Sequence, residues 1–216
     1  MTREDLTPTT GTVLSGIQLS KLSKAGKDQL ALFTAKRKVV AFRDQDFATL
    51  PIEKALEYGE YFGRHHVHPT SGAPKGYPEV HVVHRGIDDR SSQELLETRT
   101  STVAWHSDVT YEKQPPGTTF LYILDVPSTG GDTLFVNQAE AYRRLSPGFR
   151  ERLHGLKAVH SGIEQAQSAR ARDSIVRREP VISVHPLVRT HPATGEKALF
   201  VNPQCEPALL SKLVTC

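Results

Sequence analysis

The chain has 216 residues, 38% of them hydrophobic and 24% charged, with 27 Lys and Arg set against 24 Asp and Glu. That length suits one domain with a real core, and no apolar run approaches the ~18 residues that would suggest a membrane-spanning helix. The net charge of +3 is spread without a Lys or Arg tract; the surface reads as solvated, and nucleic-acid binding gains no support.

Met1-Thr2-Arg3-Glu4-Asp5 is followed by no apolar run, so no secretory signal is expected. Both cysteines, Cys205 and Cys216, stand at the far end, whereas a disulfide scaffold would distribute them. A reducing, cytoplasmic compartment fits.

Residues 1–19 read as an arm or a first edge element. From Leu19 to about Lys38 the chain is rich in helix formers, with Leu22, Leu30 and Phe33 apolar. Val39-Val40-Ala41-Phe42 is a short strand-type run, ended by Arg43-Asp44-Gln45-Asp46. Pro51 through Phe62 predicts a second helix, with Pro in the first turn and Gly63 just past the end. Arg64 to Pro69 is a loop with three histidines; no Cys lies near, and the spacing fits no structural zinc site. Glu79 to His84 alternates like a strand, and Gly86 to Arg99 is a polar, acidic rim.

Thr100 to Tyr111 predicts a strand and its exit, in which Trp105 is read as core packing. Phe120 to Leu124 predicts a buried strand, and Thr129-Gly130-Gly131-Asp132 turns into the strand Thr133 to Val136. Asn137 is placed as an N-cap for a helix through Leu145, and Ser146-Pro147 opens another to about Leu156. Lys157 to Ser161 reads as a strand. Gly162 to Pro180 is charged without apolar periodicity, which predicts a surface insertion or lid. Val181 to Thr190 and Glu196 to Asn202 are two strands joined by a hairpin-type turn. The sum is a mainly β protein with flanking helices, a double-stranded β-helix or jelly roll.

The chemistry centres on Val103-Ala104-Trp105-His106-Ser107-Asp108-Val109-Thr110. In an extended segment, residues two apart project to one side, so His106 and Asp108 can grip one metal ion. A second His from elsewhere would complete a facial triad with open positions, suited to a non-haem Fe(II) oxygenase. With ten His and ten Asp in the chain, a bare His-x-Asp arises by chance about once in two such sequences, so the spacing alone decides little.

The setting adds to it. Trp105-His106-Ser107-Asp108-Val109-Thr110-Tyr111, Pro115-Pro116-Gly117 and Thr129-Gly130-Gly131-Asp132-Thr133 together resemble the taurine dioxygenase family of Fe(II)/2-oxoglutarate-dependent enzymes. Phe42-Arg43-Asp44-Gln45, His66-Val67-His68-Pro69, His185-Pro186 and Phe200-Val201-Asn202 extend the resemblance over residues 20–204, closest to the sulfonate dioxygenase branch. It implies that His106 and Asp108 bind Fe(II) with a distal His. It also implies that 2-oxoglutarate chelates the iron, its remote carboxylate held by Thr133 and a C-terminal Arg. Arg suits that role because its planar fork meets a carboxylate through two charge-assisted bonds. His68 matches the residue that meets the anionic head of the substrate, the other reading being a polar surface loop. Val109 and Tyr111 either line the substrate pocket or simply pack. The implied reaction consumes dioxygen and 2-oxoglutarate, yields succinate and CO2, and hydroxylates a small anion such as taurine or another sulfonate, releasing sulfite.

From Cys205 the resemblance stops, so residues 205–216 are expected to be a divergent tail on a C-terminally truncated domain. That tail has neither His nor Arg, and His154, His160, His185 and His191 are read as non-ligands. Weakened metal and co-substrate binding is expected, with a jelly roll incomplete at its C-terminus and self-association through unpaired sheet edges. The alternative is a non-catalytic jelly-roll fragment serving as a ligand-binding or interaction module. A zinc hydrolase would need ligands and an acid/base that the sequence does not suggest.

Overall fold

The computed structural model describes residues 1–84 and 105–203, together with the backbone of Leu213–Val214. In chain order the elements are β1 (Thr2–Asp5), β2 (Thr12–Ser15), α1 (Lys24–Arg37), β3 (Val40–Phe42), α2 (Ile52–Glu60), α3 (Gln138–Arg144), α4 (Pro147–Leu153), β4 (Lys157–Ser161), α5 (Ile163–Ala171), β5 (Ile182–Pro186), β6 (Val188–Thr190), β7 (Lys197–Leu199) and β8 (Leu213–Val214). They divide between two compact units. One comprises Met1–His65, Gly117–His154 and Val188–Leu199; the other comprises His66–Pro116, Gly155–Leu187 and Phe200–Cys216.

In the first unit β2 is the central strand of a small sheet, antiparallel to β1 and parallel to β3. Arg37, the last residue of α1, is buried beneath the β1–β2 connection. Its guanidinium donates to Thr12 Oγ1 at 2.8 Å, to the Thr7 and Gly11 carbonyls at 2.7 Å, and to the Pro8 carbonyl at 3.0 Å. One side chain thus serves three main-chain carbonyls of this connection.

Helix α2 turns Tyr58 inward, where its ring meets Phe47, Phe62 and Phe120 at centroid distances of 5.2, 5.5 and 5.8 Å. Asn137 caps α3 by accepting from the Ala139 and Glu140 amides, and its own amide donates to Thr10 Oγ1 at 2.9 Å. Ser146 caps α4, with Pro147 in the first turn, as the sequence predicts. Strands β6 and β7 form an antiparallel hairpin beside α3.

In the second unit β4 runs between β5 and β8, antiparallel to both. The two residues of β8 pair with Lys157 and Ala158, so part of the 205–216 segment adds a strand to this sheet. Val109, Tyr111 and Val181 pack together as its apolar centre.

Several expected strands do not form. Glu79 to His84, the described part of the metal strand (105–111), Phe120 to Leu124 and Thr133 to Val136 carry no strand. Residues 100–104 of that prediction, and the rim from 86 to 99, lie outside the described residues. Apolar alternation reports what a segment can bury, but a strand exists only where a neighbour accepts its ladder. No such ladder reaches these segments among the described residues. Leu124 is accordingly 73% exposed, and Trp105, expected in the core, is 47% exposed. Before Thr133 the chain bends at 128–129 and continues with φ of 78° at Gly130 and 76° at Gly131, values open to glycine without penalty.

Gly162 to Pro180 is corrected in the other direction, because it contains α5. The buried stripe of α5 is Ala166 and Ala169, three residues apart. Alanines carry too little apolar bulk to announce a helical face. Among the described residues no helix is long and apolar enough to cross a membrane.

Candidate metal and substrate site

His106 and Asp108 come together as expected, but by a turn. His106 is in irregular chain, and residues 108–111 form a tight turn in which the Glu112 amide donates to the Val109 carbonyl at 3.0 Å. Val109 adopts φ +45°, a left-handed conformation that is a true outlier for a β-branched side chain. Its burial against Tyr111 and Val181 holds it there. The result sets His106 Nε2 3.2 Å from Asp108 Oδ1, with both side chains open to solvent.

Buried polar groups fix this turn from beneath. Asn202, 1% exposed, donates through Nδ2 to the Ser107 carbonyl at 2.7 Å and to Thr110 Oγ1 at 2.9 Å. His160 of β4 meets the same Thr110 hydroxyl through Nδ1 at 3.0 Å. Tyr111, 2% exposed, donates its phenol to Gln165 Oε1 at 2.6 Å, and its ring lies so close to Gly162 that an added Cβ would stand 3.2 Å from it. The His160, His185 and Phe200 rings pack mutually at 5.1–5.4 Å. Val109 and Tyr111 are therefore packing residues of the turn. His160 and His185, read as non-ligands, support it instead: His185 Nε2 reaches the Glu112 carbonyl at 2.9 Å.

His68 belongs to the same unit. Thr70 donates its amide to His68 Nδ1 at 3.2 Å, so the ring carries its proton on Nε2. The His81 ring lies 4.8 Å away and the His66 ring 6.4 Å away. Burial, aided by His81, His66 and Arg177 and opposed by the Asp108 carboxylate, pushes the His68 imidazole down to about 4. At neutral pH it is an uncharged hydrogen-bond donor. Thr133 falls in the other unit, exposed in irregular chain.

Two donors each about 2.1 Å from one ion and at right angles stand about 3 Å apart, so the His106–Asp108 separation suits adjacent positions on one cation. Among the described residues no group of three His, Cys, Asp or Glu side chains assembles to complete such a site.

Sequence reasoning picked out Asn202 only within the resemblance, without a role, and missed Glu112, Arg177 and Arg178. Arg177 donates its main-chain amide to the Pro69 carbonyl at 2.8 Å and its Nη1 to the Ser71 and His68 carbonyls at 2.5 and 3.3 Å. Arg178 pairs with the Glu112 carboxylate, which His66 Nε2 also meets at 3.1 Å. Charge without periodicity was the only signal these arginines gave; their partners are more than sixty residues away.

The chain is similar to known proteins in sequence and in fold. The model of a family described as "Taurine catabolism dioxygenase TauD, TfdA family" matches residues 2–212. An alpha-ketoglutarate-dependent sulfonate dioxygenase of Saccharomyces cerevisiae is 44% identical over 197 residues, 91% of this chain and 48% of that protein. The alpha-ketoglutarate-dependent dioxygenase cnsM of Penicillium expansum is 44% identical over 92% of this chain and 56% of its own length. The chain thus spans about half the length of these curated relatives. Among solved structures, a taurine dioxygenase from Burkholderia xenovorans superposes with a TM-score of 0.66 at 29% identity, covering 99% of this chain and 64% of that one.

Proposed function

Because this chain belongs to the taurine catabolism dioxygenase TauD, TfdA family, we propose that it carries the metal- and substrate-binding part of an Fe(II)/2-oxoglutarate-dependent dioxygenase acting on a small sulfonate. The observation that carries this reading is the His106–Asp108 pair, set 3.2 Å apart by a strained and buried-anchored turn. Backbone strain of this kind clusters at ligand sites. The sulfonate assignment is supported by the likeness to the yeast alpha-ketoglutarate-dependent sulfonate dioxygenase. In fold terms, we read the small sheets as parts of a double-stranded β-helix, a reading supported by the superposition on the Burkholderia enzyme.

In this reading His106 and Asp108 would hold the ferrous ion. The bound metal and keto acid supply the oxidation, in which dioxygen and 2-oxoglutarate are consumed, succinate and CO2 form, and a substrate C–H becomes C–OH. The chain's own residues do the positioning. Asn202 and His160 keep the turn from relaxing under the metal's pull. His68, neutral with its proton on Nε2, offers a hydrogen bond to a sulfonate oxygen without adding a charge that would compete with the cation.

The test is anaerobic titration of the 216-residue chain with Fe(II) and 2-oxoglutarate, following the weak visible charge-transfer band of the chelate. A saturable band is expected, lost in His106→Ala and in Asp108→Ala. A band of equal strength in both variants, or none in folded protein, would falsify the reading.

A second reading rests on the exposed apolar runs at 120–126 and 134–136. Here the chain acts as a non-catalytic module that pairs with a second copy through those segments. Sedimentation velocity decides it, since a concentration-independent monomer rules it out.

A further inference from the structure

We infer that Arg177 is a positioning residue that sets where His68 stands for an anionic substrate, while Arg178 ties the same segment to the turn that carries Asp108. The inference rests on the reading of His68 given above and adds residues to it. The loop from His68 to Ser71 belongs to no sheet, so its carbonyls need donors from elsewhere. Arg177 supplies three bonds. Its main-chain amide serves Pro69, and one guanidinium nitrogen reaches both His68 and Ser71. Holding carbonyls three residues apart on one nitrogen fixes the curl of the loop and hence the exit direction of the His68 ring.

The next residue completes a circuit. Arg178 donates to the Glu112 carboxylate, and His66, two residues before His68, meets that carboxylate as well. Glu112 in turn closes the metal-bearing turn through its amide to Val109, and its carbonyl is held by His185. His68 and Asp108 are therefore connected by two routes, one through Arg177 and Arg178 and one through His66, which meet at Glu112. Adjacent arginines suit this because a planar guanidinium keeps its charge and presents donors in a fixed fork, where lysine offers a single mobile point. The positive charge of Arg177 also adds to the potential that an anion meets at His68.

The test is a ¹⁵N spectrum of the histidine rings in the 216-residue chain at neutral pH, without metal. In the parent chain His68 is expected as a single tautomer, with Nδ1 unprotonated and Nε2 protonated. In Arg177→Gln the loop uncurls, the Thr70 bond to Nδ1 loosens, and the His68 signals move toward the average of two tautomers. Arg177→Lys keeps the charge and the main-chain bond but loses the fork; it shows the same change in part and carries the test if the Gln variant does not fold. Calorimetric titration with taurine, run anaerobically with Fe(II) and 2-oxoglutarate, is expected to show about tenfold weaker binding in either variant, with Fe(II) affinity unchanged. A His68 signal unmoved by both substitutions, or taurine binding equal in parent and variants, overturns the inference. Failure of the metal reading is seen separately, as Fe(II) binding indifferent to His106 and Asp108.

Discussion

Two stretches of this chain look alike in sequence and differ in structure. The segment 100–111 reads as a strand, as do the runs 120–124 and 133–136 within 118–136, and none of their described residues forms one. The first is nonetheless held tightly. Thr110 and Tyr111 are buried, and Asn202, His160, Gln165 and His185 each bond to it. The second has only Phe120 and Tyr122 leaning on the rings of Phe47, Tyr58 and Phe62. Its remaining apolar side chains face solvent, with Ile123 61% exposed. A segment without a ladder is fixed when polar side chains reach its backbone and hydroxyls and an aromatic ring is buried beneath it. Apolar content alone does not fix it.

The difference can be broken most forcefully at Tyr111. Tyr111→Ala removes a fully packed ring and its bond to Gln165, and should cost about 3–5 kcal/mol of unfolding free energy by urea denaturation. Next comes Asn202→Ala. It leaves the Thr110 hydroxyl with one partner fewer and frees the Ser107 carbonyl, an expected loss of about 1–3 kcal/mol. Fe(II) affinity should fall with it, because the turn beneath Asp108 loses its clamp. Stability unchanged in both variants would mean that the turn is held by something else.

A smaller effect appears with pH. His68 titrates at about 4 in the folded chain, below the ~6.5 of an unperturbed imidazole. Between those values the unfolded chain binds more protons, so stability falls as pH drops from about 6.5 to about 4 and levels off below. His68→Gln should flatten that part of the urea-midpoint profile. An equal slope in the variant assigns the dependence to other groups. The smallest effect belongs to the exposed stretch. Ile123→Thr should change stability by less than about 0.5 kcal/mol, since little burial is lost. A loss comparable to that of Asn202→Ala would show that the stretch is covered after all.

Local chemistry made much of the chain readable. Ser146-Pro147 and Asn137 act as caps where the residue types predict, because a cap is decided within three residues. Gly130 and Gly131 stand where the chain takes backbone conformations that glycine adopts freely. The closeness of His106 and Asp108 was also legible, yet for the wrong local reason. Strand alternation was expected to align His106 and Asp108, whereas a left-handed Val109 and a buried Asn202 do so. Helix α5 escaped notice because its buried stripe is alanine, and the role of Arg177 and Arg178 because their acceptors lie far away in sequence.

By itself, then, the sequence determined the caps of α3 and α4, the glycine conformations at 130 and 131, and which residue types stand at 106 and 108, since capping, glycine conformation and donor type are properties of a few adjacent residues. Which apolar runs became strands, which aromatic rings were buried, and which polar side chains held the His106–Asp108 turn and the His68 loop were decided only in three dimensions. Ladders, burial and buried hydrogen bonds need partners that approach from distant parts of the chain, and no local pattern encodes whether they arrive.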